Sequence, residues 1–171
     1  EIGIPTVFNL LGPMANPGRV RRQVIGVANP AVAQRMLASL RIHGSIKSWV
    51  VHGNGLDELT TTGPSTVLAL DNGEVTTFEI DPLALGLAPA IAEELTGGTA
   101  QDNAAAVRTV FAGAHGAHRD IVVLNAAAGL VVAGVAPDVR EGLSLAAASI
   151  DSGKAMEGLD AFIETSQQIA A

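Results

Sequence analysis

The stretch QVIGVANPAVAQRMLASLRIHGSIKSWVV, residues 23–51, decides how the chain folds. It opens with Gln23-Val24-Ile25-Gly26-Val27-Ala28, a short β-branched run of the kind found in buried strands. Asn29 then stands where a helix N-cap belongs and Pro30 suits a first helical turn. Val32, Met36, Leu37 and Leu40 recur at helical spacing until Gly44. Lys47-Ser48-Trp49-Val50-Val51 reads as a second strand. Strand, helix and strand in this length predict a right-handed crossover between parallel neighbours.

Downstream, Ser65 to Leu70 and Glu74 to Ile80 flank Asp71-Asn72-Gly73. Asn-Gly favours the positive φ angles of a tight hairpin, so two antiparallel strands are expected to join the sheet. From Asp81-Pro82 onward the chain is alanine-rich and helical in spacing, with Asp81, Thr99, Asp120 and Asp138 as candidate N-caps. The expectation is one α/β domain over residues 1–171, with a mixed, mainly parallel sheet flanked by helices. Upstream, Phe8 to Gly18 is crowded with Gly, Pro and Asn and reads as a loop with apolar anchors.

Composition narrows the function classes. A chain of 171 residues with 48% apolar residues can bury one sizeable core. The net charge of -7 works against nucleic-acid backbones and anionic membrane surfaces, so neither is expected as a partner. There is no tyrosine, and Trp49 with four phenylalanines makes a poor platform for stacked bases. The absence of cysteine removes disulfides and thiolate metal sites, leaving oxygen or imidazole ligands and the cytoplasm as the default compartment. The longest apolar stretch, Ile121 to Gly134, is broken by Asn125 and is too short for a membrane span. No Gly-x-Ser-x-Gly elbow occurs, which argues against a serine hydrolase. Because the chain opens at Glu1 inside an apolar segment, it is expected to be part of a longer one.

The second strand runs straight into His52-Gly53-Asn54-Gly55-Leu56-Asp57-Glu58. Open α/β sheets bind ligands beyond the carboxyl ends of their strands. Adjacent carboxylates there repel unless solvent or a cation compensates, and hard oxygen ligands suit Mg²⁺. Asp57 and Glu58 are therefore the metal candidates, although the same spacing also suits an exposed acidic pair. His52, alone at a strand end with no second His or Cys nearby, reads as a hydrogen-bonded structural residue rather than a catalytic one. Thr96-Gly97-Gly98-Thr99-Ala100-Gln101-Asp102-Asn103 has the flavour of a phosphate cradle, but lacks the Lys of a P-loop and is explained by Thr99 and Asp102 as a cap. Arg19, Arg21 and Arg22 could grip an anion or simply flank the first strand in solvent.

Taken in order, Thr6-Val7-Phe8-Asn9-Leu10-Leu11-Gly12-Pro13, Asn16-Pro17, Val51-His52-Gly53-Asn54-Gly55-Leu56-Asp57-Glu58, Gly97-Gly98, Asn103-Ala104 and Asp120-Ile121-Val122-Val123-Leu124-Asn125-Ala126 resemble the anthranilate phosphoribosyltransferase family over essentially the whole chain. The resemblance implies the carboxyl-terminal fold shared by nucleoside phosphorylases and phosphoribosyltransferases. It also implies transfer of phosphoribosyl from phosphoribosyl pyrophosphate to anthranilate in tryptophan biosynthesis. Asp57 and Glu58 match the family's acidic Mg²⁺ pair, and Gly12 matches a substrate-binding position lining the anthranilate channel. An amino-terminal helical domain, carrying the glycine-rich pyrophosphate loop and the homodimer contact, is implied upstream. Within this chain, Met14-Ala15 departs from the Leu-Thr usual in the family's Gly-Pro-x-x-Asn-Pro loop. Without the upstream groups the segment is expected to hold Mg²⁺ poorly and to be inactive. Three other readings remain open: a pyrimidine nucleoside phosphorylase, a non-catalytic nucleic-acid-binding relative and a stand-alone interaction domain.

Overall fold

The computed structural model describes residues 12–170. The expected loop anchors before Gly12 lie outside the described residues. Strand β1 (Arg22–Gly26) pairs in parallel with β2 (Lys47–Gly53), from Arg22 opposite Lys47 to Gly26 opposite Val51. Val27 extends the pairing by donating its N–H to the Val51 carbonyl at 2.9 Å. Between them Asn29 Oδ1 accepts from Ala31 N at 2.9 Å, and a 3-10 turn at Pro30–Val32 feeds helix α1 (Ala33–Ile42). The chain leaves that helix through Gly44 at φ 80°, a left-handed position that glycine adopts at little cost. The strand–helix–strand unit thus stands as the sequence predicts.

Strands β3 (Ser65–Asp71) and β4 (Glu74–Ile80) form the expected hairpin. Asn72 and Gly73 have φ of 48° and 91°, the pair of positive angles a type I′ turn requires. The sheet order is β1-β2-β3-β4, with β1–β2 parallel and both β2–β3 and β3–β4 antiparallel. The sheet is mixed, as expected, but among the described residues it is not mainly parallel. Residues 54–64 contain no helix, and a parallel return needs a crossover of about a dozen residues or more, so β3 comes back antiparallel.

Strand β2 is the buried centre of three layers. Val50 faces Leu37, Leu40 and Met36 of α1, together with Ile25 and Leu70 from the flanking strands. Trp49 and Val51 point the other way, towards Leu124, Ala128, Val131 and Val132 of α3 (Ala117–Ala133). This period-two alternation places one residue set under each helix. Trp49 also meets Phe78 of β4 edge-to-face, with ring centroids 5.4 Å apart.

The apolar stretch 121–134 is therefore a core helix lying on the sheet, and no helix among the described residues is long and apolar enough to cross a membrane. Helices α2 (Ala100–Phe111), α4 (Val139–Asp151) and α5 (Lys154–Ala170) complete the helical second half. Helix α4 approaches α3 closely, since a Cβ at Gly142 would stand 2.9 Å from the Ala127 carbonyl oxygen. Buried Arg119 ties the same two helices together through Asp151 at 2.7 Å.

Asp81, Thr99 and Asp138 all receive backbone N–H groups, from Leu83, Asp102 and Glu141 respectively. Asp120 does not cap. Ala117, His118 and Arg119 already belong to α3, so Asp120 lies in its first turn and Gly116 holds the N-cap position.

Leu124 is fully buried where α3 meets the sheet, whereas Ile42 is 84% exposed. Leu124→Ala is expected to cost about 2–5 kcal/mol in denaturant unfolding. Ile42→Ala should stay within about 0.5 kcal/mol of the parent. Equal effects at the two positions would contradict the three-layer packing.

Candidate functional site at the strand tips

The site grows from the carboxyl end of β2. His52 donates from Nδ1 to the Val27 carbonyl at 2.8 Å, a bond that fastens the end of β2 to the chain leaving β1 and gives His52 the structural role expected of it. Gly53 and Leu56 then exchange backbone hydrogen bonds of 3.1 and 2.8 Å around Asn54 and Gly55, whose φ values are 48° and 90°. Both central residues lie in the left-handed region, which makes this a second I′-type turn.

That reversal lays the next residues across the strand tips. A Cβ at Gly26 would stand 1.4 Å from the Asp57 carbonyl oxygen, and one at Gly53 would stand 2.4 Å from the Glu58 carbonyl oxygen. The two carbonyls thus rest against bare backbone at the ends of β1 and β2. No other residue type leaves that space.

Further bonds hold the segment in register. Leu59 is fully buried, and its N–H and C=O are both bound by the Asn125 side chain of α3, at 3.0 and 2.7 Å. The Asn125 amide also reaches Glu58 Oε2 at 3.3 Å. Thr60 N donates to Ser65 Oγ at 3.0 Å, and Asn54 Nδ2 donates to Thr62 Oγ1 at 3.2 Å, closing the loop on itself.

Glu58, with Asn54, Leu56 and Thr62, lines a cleft of about 590 Å³ whose other walls come from Ala90 to Ala92, Leu95, Thr96 and Ile121. Asp57 is exposed beside it and is not part of that lining. Burial, and after it the charge of Asp57, pushes the Glu58 carboxyl above its ordinary value of 4.5. A cation at this pair would relieve the second cause.

Among the described residues no three His, Cys, Asp or Glu side chains gather as a metal cage. Mg²⁺ is commonly held by one or two carboxylates, with waters and substrate phosphates completing its shell, so the chemistry of this donor pair fits it.

Other candidate residues fall elsewhere. Gly12 is exposed, with helical backbone over residues 12–14 rather than the expected loop, and no described atom comes within 4 Å of where its Cβ would stand; it does not line the Glu58 cleft. At Thr96 to Asn103 several of the amides that could have faced a phosphate are taken up within the segment. Gly98 N donates to Asn103 Oδ1 at 2.8 Å, and Thr99 N donates to Asp102 Oδ2 at 2.9 Å. The segment is a cap. Arg22 donates to the Val132 carbonyl at the end of α3 and Arg21 to the Gly44 carbonyl, so two of the three arginines serve helix ends.

Gly26 and Asn125 are site residues that the sequence alone does not single out. Each leaves a trace there, as a glycine inside a β-branched strand and as a lone amide inside an apolar helical run.

The family model described as "Glycosyl transferase family, a/b domain" matches residues 1–156. The chain is 46% identical over 169 residues to the anthranilate phosphoribosyltransferase of Rhizobium etli (strain CIAT 652), covering 99% of this chain and 50% of that protein. It is 47% identical over 171 residues to the enzyme of the same name from Azorhizobium caulinodans, with the same coverage. Among solved structures, anthranilate phosphoribosyltransferase from Thermus thermophilus superposes with a TM-score of 0.85 at 37% identity, covering 95% of this chain and 48% of that one. The Saccharomyces cerevisiae enzyme in complex with PRPP and Mg superposes with a TM-score of 0.86 at 27% identity, covering 97% and 48%. The chain spans about half the length of the curated relatives it matches.

The perturbed carboxyl gives a direct check on the site. Because the folded pKa of Glu58 is raised, its contribution to stability is present below the ordinary value and is lost as pH rises through the raised one. Carbon-detected NMR titration should place the Glu58 midpoint above 4.5. Asp57→Asn should lower that midpoint without restoring it fully, since burial is the larger cause. A midpoint at or below 4.5, or one indifferent to Asp57→Asn, would contradict the geometry.

Proposed function

The chain belongs to the glycosyl transferase family through its a/b domain, and from that premise we propose that it is the α/β part of an enzyme transferring phosphoribosyl from phosphoribosyl pyrophosphate to anthranilate in tryptophan biosynthesis. The observation carrying this reading is the Asp57–Glu58 pair, set across the ends of β1 and β2 with Glu58 in an open cleft. The relatives' names and the phosphoribosyl pyrophosphate and Mg in the yeast complex support it. The reading includes a longer, cytoplasmic, homodimeric protein whose preceding half carries the helical domain and most of the pyrophosphate contacts.

In the reaction, the bond from the sugar carbon to the pyrophosphate oxygen breaks and its electron pair leaves with pyrophosphate. The amine nitrogen of anthranilate forms the new bond to that carbon and gives up one proton. Asp57 and Glu58 would hold Mg²⁺, which when bound stabilises charge developing on the departing oxygens. The chain's own contribution is orientation. Its two carboxylates are held on a segment fixed by Gly26, Gly53 and buried Leu59, so little rearrangement is needed as the leaving group departs. Gly12, beside the upstream residues, is proposed to leave room for the flat anthranilate ring; a 4-fluoroanthranilate complex of the yeast enzyme accords with an aromatic amine as substrate.

In the longer protein, Asp57→Asn combined with Glu58→Gln should lower turnover at saturating Mg²⁺ by about 100-fold or more. A near-normal rate would overturn the assignment. So would phosphorolysis of thymidine by the unsubstituted protein, which would point instead to a pyrimidine nucleoside phosphorylase.

A further inference from the structure

The amide of Asn125 is out of place in its helix. From Ile121 to Ala133 every other residue of α3 is apolar or glycine, and that face covers the sheet. Half-burying an amide in such a place costs free energy unless its polar atoms are matched. Here they are matched by the acidic segment. Oδ1 accepts from Leu59 N at 3.0 Å, and Nδ2 is shared among the Leu59 carbonyl at 2.7 Å, the Ile121 carbonyl at 3.0 Å and Glu58 Oε2 at 3.3 Å. The Leu59 N–H needs an acceptor and its C=O needs a donor, so the amide can face only one way.

We propose that Asn125 is a positioning residue for the metal-binding acids, clamping the Leu59 backbone and turning one oxygen of the Glu58 carboxylate inward so that the other faces the cleft. The proposal rests on the acid-pair reading above. Leu59, fully buried in the sheet–helix core, fixes where the segment enters the domain. It cannot set the torsions of the side chain before it. The Asn125 donor supplies that second constraint, from a helix residue 67 positions away in sequence. An apolar isostere would fill the same space, yet would strand a buried N–H and C=O and release the carboxylate.

The test uses the full-length protein with phosphoribosyl pyrophosphate present and Mn²⁺ as the probe, its binding followed by the electron paramagnetic resonance of the free ion. Binding is read above the background left by Asp57→Asn with Glu58→Gln. Asn125→Ala removes every bond of the amide. Asn125→Ser keeps a short hydroxyl for the Leu59 backbone and is too short to serve Glu58, which guards against an alanine variant that fails to fold.

In whichever variants stay folded by thermal melting, half-saturation by Mn²⁺ should rise at least about tenfold, and the Mg²⁺ concentration needed for half-maximal turnover should rise with it. A folded Asn125 variant with lowered melting temperature but half-saturation within about twofold of the parent would show a merely structural residue and overturn the proposal. If instead the double acid variant binds Mn²⁺ and turns over like the parent, the acid-pair reading itself has failed. That result is separable, because it is seen without touching Asn125.

Discussion

Everything at the strand tips depends on a steric fact: the backbone of Asp57 and Glu58 lies where the side chains of residues 26 and 53 would otherwise be. Two carbonyl oxygens occupy the space of two missing methyl groups. A larger residue at either position would lift the segment off the sheet, and with it the carboxylates. The acids therefore sit close above the ends of β1 and β2, in the zone where open α/β sheets place their ligands. Burial, and after it the charge of Asp57, raises the Glu58 carboxyl there, and a bound cation would relieve the second cause.

The remainder of the fold serves this arrangement. Strand β2 is buried on both faces, with α1 on one side and α3 on the other, so its end is a fixed reference point. His52 locks that end to the chain leaving β1. Helix α3 brings Asn125 under the acidic segment, and α3 is in turn held by close contact with α4 and by the Arg119–Asp151 pair. Core packing and the candidate site thus meet in one helix: α3 covers the sheet and also presents the amide that grips the acidic segment.

How much of this is legible in the sequence follows the range of the physics involved. The strand–helix–strand unit, the Asn72-Gly73 hairpin and the Thr99 cap are readable because each is set by local periodicity or local φ preference. The proportion of parallel pairing is not, because whether a strand returns parallel or antiparallel depends on what the connection contains, and residues 54–64 hold no helix. Asp120 passes for a cap in the sequence, since nothing local distinguishes it from one, whereas α3 begins at Ala117 and takes Asp120 into its first turn. Asp57 and Glu58 stand out by their position after β2. Gly26 and Asn125 do not, because their roles arise only when segments far apart in sequence meet. The resemblance to a family of known chemistry covers the acids but offers no physical reason for the residues that hold them.

The most direct measurement is anomalous diffraction from crystals of the full-length protein grown with phosphoribosyl pyrophosphate and Mn²⁺ in place of Mg²⁺. The account predicts a manganese peak at ordinary oxygen-ligand distance, about 2.0–2.3 Å, from a carboxylate oxygen of Asp57 or Glu58, with the diphosphate on its far side. A fully occupied manganese on the diphosphate, with both carboxylates beyond the reach of even one bridging water, would contradict it.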